Sequence, residues 1–179
     1  TYGLNDGMVG VGSNDASGYF DNIAVQALPP EITLDVTENF DSGATFHFDD
    51  ASMGLWTIDA GRYLGQLGSD SGLVTILEDL GLSGGLRNSS IYELEGTFST
   101  TGLSGIAFDV VDTGTYKFAG INAATSEVVI GHVVNNGPVS IDASTAVDII
   151  AVEDYTLKVN LKGTTVSLEL NGKPVLGYG

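Results

Sequence analysis

The chain has 179 residues, 6 basic against 23 acidic side chains, a net charge of −17 and no cysteine. That length suits one domain able to bury a core unaided, and the missing cysteines exclude a disulfide framework and any thiolate metal site. The charge excludes a nucleic-acid surface and attraction to anionic lipid, both of which need a basic face, and fits cation binding, solubility or a salty extracellular setting.

In chain order, Met8-Val-Gly-Val-Gly12 and Tyr19-Phe-Asp-Asn-Ile-Ala-Val25 read as the last two strands of a sheet protein. Period-two alternation puts Asp21 on the face of Ile23 and Val25, toward the core. A carboxylate there must be paired, metal-bound or bonded to backbone N–H groups at a strand end. Pro29-Pro30 breaks the chain, and Ile32, Leu34 and Val36 start a new run of alternation. His47 is expected at a surface or edge, opposite Phe46 and Phe48, and Trp56 shares an inward face with Ile58. Leu73 to Leu82 is expected to be strand, or strand with one helical turn.

Tyr92, Leu94 and Phe98 oppose Glu93, Glu95 and Thr97, and Ile106, Phe108 and Val110 oppose Ala107 and Asp109. Asp109 is therefore expected on a solvated face, near Asp112. Tyr116 and Phe118 face away from Lys117, and the apolar run from Val128 to Val134 predicts a strand covered on both sides. Tyr155, Leu157, Val159 and Leu161 alternate inward, as do Val166, Leu168 and Leu170, and Asn171-Gly172 is a type I′ hairpin signal leading into an unfinished strand. About a dozen strands between Gly, Asn, Asp and Ser turns predict an all-β antiparallel sandwich.

Catalytic patterns are missing from the sequence. There is no Gly-x-Ser-x-Gly elbow, no phosphate loop and no glucanase-type Glu-x-Asp-x-x-Glu, so no enzyme is expected. His47 and His132 have no second histidine at metal spacing, Asp49-Asp50 is a further acidic pair, and the sequon Asn88-Ser-Ser90 is read as chance. No apolar run approaches the roughly 20 residues of a membrane-spanning helix. No signal peptide opens the chain, so the targeting signal of an exported protein is expected outside it.

Ser104 to Asn122 with Glu127-Val-Val-Ile-Gly-His132, then Asp154 to Gly172, resemble successive hairpins of laminin-G-like, concanavalin A-type jelly rolls. In that family a closing strand of the form Phe-Asp-Asn-Ile follows, and here it stands at Phe20-Asp-Asn-Ile23, ahead of the others. The resemblance implies a repeat of large secreted bacterial surface proteins and adhesins, extracellular and at the cell surface. It also implies a structural Ca2+ held by Asp21 with oxygen ligands from Glu38, Asn39 and Asp41.

Three regions are expected: closing strands in residues 1 to 28, a Pro-Pro linker at 29 to 30, and a jelly-roll body in 31 to 179 that lacks its closing strands. The closing strands complete either a neighbouring copy, by strand exchange, or their own sandwich with permuted termini, or the chain is one period of a covalent array. The expected function is a structural or adhesive repeat of an extracellular fibre, assembled head to tail with copies of itself. The alternative is a Ca2+-dependent carbohydrate-binding module whose partners are glycans.

Overall fold

The computed structural model describes residues 8–28, 34–48, 54–66, 73–77 and 91–179. Pro29-Pro30, Asp49-Asp50, Asn88 to Ser90 and the second half of the Leu73 to Leu82 run lie outside them. The described residues form β1 Met8–Asn14, β2 Gly18–Leu28, β3 Leu34–Glu38, β4 Leu55–Asp59, β5 Arg62–Gln66, β6 Leu73–Ile76 and β7 Ile91–Thr100. They continue as β8 Leu103–Asp112, β9 Thr115–Asn122, β10 Glu127–Val133, β11 Ser140–Ala146, β12 Tyr155–Lys162, β13 Thr165–Leu170 and β14 Lys173–Tyr178.

Two antiparallel sheets pack as a sandwich. The six-stranded sheet runs β11-β10-β9-β8-β1-β6, and the eight-stranded sheet runs β14-β13-β12-β7-β2-β5-β4, with β3 beside β2. Between them lies one core, which includes Val9 and Val11 from β1, Phe20, Ile23 and Val25 from β2, and Phe98, Phe108, Ile121, Leu157 and Leu168 from the body. The alternation in β12 and β13 is the physical reason for their orientation: every second residue enters this core and the rest face water. Asn171 and Gly172 both adopt positive φ, 51° and 74°, as the type I′ turn between β13 and β14 demands.

β1 and β2 belong to different sheets and sit inside both. β1 pairs with β8 on one side and β6 on the other. β2 pairs with β7 on one side and with β5 and β3 on the other. The Ser13, Thr100 and Ser104 hydroxyls form a buried chain at 2.7 and 2.8 Å, and Ser13 also bonds the carbonyls of Ala16 and Leu103. This network fastens the β1–β2 connection to the β7–β8 turn.

The outer face of the six-stranded sheet is apolar as well. Val74, Ile76, Ala107 and Val110 form a second buried cluster with Tyr116 packed against it. Val128, Val129 and Ile130 are all buried, the two-sided covering that the uniform apolar run predicts.

Candidate functional site

Of the four residues expected around calcium, Asp21 and Glu38 lie on neighbouring strands, β2 and β3, and Asn39 and Asp41 in the loop after β3. Asn22 takes φ 51° and bulges β2, shifting the β2–β7 register between Asp21 and Ala24. The extra residue reverses the alternation, so Asp21 pairs with Thr97 on the outer face while Phe20 and Ile23 point inward. Asp21 bonds the backbone and side-chain nitrogens of Asn22 at 2.8 and 3.1 Å instead of entering the core. Glu38 pairs with Ile23 and is 3 % exposed on the inner face. Its two oxygens accept the amides of Phe40 and Phe46 at 3.3 and 2.8 Å, which shapes the loop after β3. Asn39 accepts the amide of Asp41, and both are exposed. Asp21 and Glu38 thus lie on opposite faces of the sheet, and the Glu38 oxygens are engaged by the loop amides.

Other sequence candidates divide. Trp56 faces inward as expected. Its ring lies where a Cβ on Gly65 would meet it at 2.8 Å, and it sits 4.9 Å from Tyr63 and 5.6 Å from Phe20 between ring centroids. Phe46 and Phe48 do not share a face: this segment is loop, with Phe46 exposed, Phe48 buried, and the Nδ1 of His47 buried without a hydrogen-bond partner.

Asp109 overturns its expectation of a solvated face. It adopts φ 52° in an irregular stretch of β8 between Phe108 and Asp112, is 7 % exposed, and takes the Lys117 ammonium at 2.5 Å. A carboxylate buried to that degree requires such a partner. Period two could not find it, because the irregularity resets the alternation; Lys117 eight residues on was the only available signal.

The Asp109–Lys117 pair opens onto a cavity of about 270 Å³ at one end of the six-stranded sheet. Val111, Tyr116, Val133 and Val134 give it apolar walls, and Thr115 and His132 complete the lining with the ion pair. His132 stands opposite Lys117 in the β9–β10 register, and its Nδ1 lies 2.8 Å from Asp142 on β11. The carboxylate only accepts, so Nδ1 carries the hydrogen and, in the neutral ring, Nε2 is an acceptor. The amide of Asn135 donates to the Thr115 hydroxyl, and the amide of Asn136 to the Gly114 carbonyl, tying the β10–β11 connection to the β8–β9 turn. Burial pushes the Tyr116 phenol above its ordinary pKa, so it stays neutral and protonated.

The chain matches no protein-family model, no curated protein and no solved structure.

Proposed function

We propose that the chain is a structural or adhesive repeat unit of an extracellular, surface-exposed bacterial fibre, built on a concanavalin A-type jelly roll and assembled with copies of itself through strands β1 and β2. The observation that carries the reading is the position of these two strands, one inside each sheet and joined to partners from β3 to β8. Five core side chains, Val9, Val11, Phe20, Ile23 and Val25, come from them. At about 1.5–3 kcal/mol each, their burial rivals the roughly 5–15 kcal/mol net stability of a whole domain. A body without them has a gap in each sheet, and unpaired edges of that kind drive association.

Complementation tests the proposal. Residues 31–179 expressed alone are expected to be insoluble or to associate, and a peptide of residues 8–28 supplied in trans should restore a soluble sandwich. A well-behaved monomeric body that ignores the peptide overturns it. The second reading, a carbohydrate-binding module, draws on the cavity between β8, β9 and β10. Glycan binding abolished by EDTA favours its calcium-dependent form, and concentration-dependent oligomers without glycan binding favour the fibre.

A further inference from the structure

We infer that Lys117 and Asp109 condense into an intramolecular amide, an isopeptide bond that ties β9 to β8 covalently and releases one water. The inference goes beyond the fibre reading and does not depend on it.

The contact comes first. The Lys117 nitrogen lies 2.5 Å from an Asp109 carboxylate oxygen, below the roughly 2.7–2.9 Å usual for an ammonium–carboxylate hydrogen bond. The fold holds both groups there. Phe108 pairs with Lys117, and the ladder then breaks until Asp112 meets Thr115. Asp109 falls in that break at φ 52°, so its side chain leaves the alternation of β8 and turns onto the lysine of the neighbouring strand. Backbone kept in so sparsely populated a conformation is strain of the kind that clusters where a fold performs chemistry.

Burial favours an uncharged product. The Asp109 side chain is 5 % exposed and that of Lys117 21 %. The cavity beside them has Val111, Tyr116, Val133 and Val134 among its walls. Two charges taken out of water carry a desolvation cost that a neutral amide escapes. In bulk water, hydrolysis opposes amide formation from a free amine and acid. Groups held in contact react at effective molarities of about 10⁵–10⁸ M, which outweighs that opposition.

The step balances with no co-reactant. One proton passes from the ammonium to the carboxylate inside the pair, giving amine and acid. The amine lone pair attacks the Asp109 Cγ and the C–N bond forms. His132 stands opposite Lys117 in the β9–β10 ladder, on the same face of the sheet, with about 5 Å between such Cβ atoms. Its Nε2 accepts in the neutral ring while Nδ1–H donates to Asp142. That nitrogen takes the second proton from Nζ and returns it to the departing hydroxyl. The C–O bond breaks, water leaves, and the imidazole is neutral again. The product closes a covalent ring across the β8–β9 turn, on the strand that also holds β1.

Intact-mass spectrometry of the whole purified chain under denaturing conditions tests the bond. The expected mass is that of the sequence less one water. Proteolysis before Asp112, between the linked residues, should leave its two fragments joined, and trypsin should fail to cut after Lys117. Lys117→Arg keeps the cation but removes the nucleophile, so its mass should be that of its own sequence. His132→Gln should leave a large unlinked fraction at purification, since loss of a proton carrier slows such a step roughly 100-fold or more. The inference is overturned if the unsubstituted chain has its full sequence mass, if the fragments separate, if the missing water maps to another pair of residues, or if Lys117→Arg is also one water light. A fully linked His132→Gln protein overturns the part given to His132.

Discussion

Strands β1 and β2 and the β12–β13–β14 meander are built from similar apolar-polar sequence and end in opposite circumstances. In the meander each strand pairs with the next in sequence, across turns at Gly163 and Asn171-Gly172, and the last strand lies on an edge. β1 and β2 part into different sheets, and their partners lie as far along the chain as Val110. A meander closes short loops and forms locally, whereas central strands are placed only after long loops close. What holds β1 and β2 is therefore long-range pairing rather than pairing with each other.

That difference predicts a steep contrast in mutational cost. Phe20→Ala in β2 empties a fully buried site and is expected to cost about 3–5 kcal/mol in urea unfolding. Leu176→Ala at the half-buried edge of the meander is expected to cost about 1 kcal/mol. Equal costs would break the comparison. Ser104→Ala removes the link between the Ser13 and Thr100 hydroxyls, which keep their bonds to Ala16, Leu103 and the Gly102 amide, and should cost about 0.5–1.5 kcal/mol, with β1 amides losing hydrogen-exchange protection before those of β13. Asn171→Ala strains a residue at φ 51° and should cost about 1 kcal/mol without disturbing β1 and β2.

Two smaller effects sharpen the picture at its margins. The Tyr116 phenol has its pKa raised above 10.0 by burial. Stability from this group is fully present below pH about 10 and is lost as pH rises through the raised folded value. Urea midpoints across the alkaline range should show that decline, and Tyr116→Phe should flatten it. Lys158 is bonded to Glu93 at 3.0 Å and to Glu95 at 3.3 Å, and the Glu93 bond first, then the charges of both, hold its ammonium above the usual lysine value. It lies on an exposed face, so Lys158→Met should shift the urea midpoint hardly at all and show little salt dependence.

Much of the architecture was legible because alternation reports burial directly. Tyr92, Leu94 and Phe98 point inward as their spacing says, and the Asn171-Gly172 turn follows from the tolerance of those residues for positive φ. The site was not legible, for one physical reason repeated twice. At Asn22 and at Asp109 a single residue in left-handed conformation inserts an irregularity, and every face assignment beside it changes. Asp21 thus moves outward and Asp109 inward, the reverse of both expectations. Asn and Asp are the side chains that tolerate such φ, so the residues marked out as chemical candidates are the ones that disturb the pattern used to place them. The cavity walls come from three strands and the connection after β10, a convergence that no local spacing encodes.

The single indole of the chain rests against a ring carried by β2, with 5.6 Å between Trp56 and Phe20 centroids, and lies flat over Gly65. Its emission colour is thereby a built-in gauge of occupancy: blue-shifted when Phe20 is seated beside it, red-shifted when water takes that place. Insertion or departure of the closing strands can be followed by intrinsic fluorescence alone, in real time and without a label.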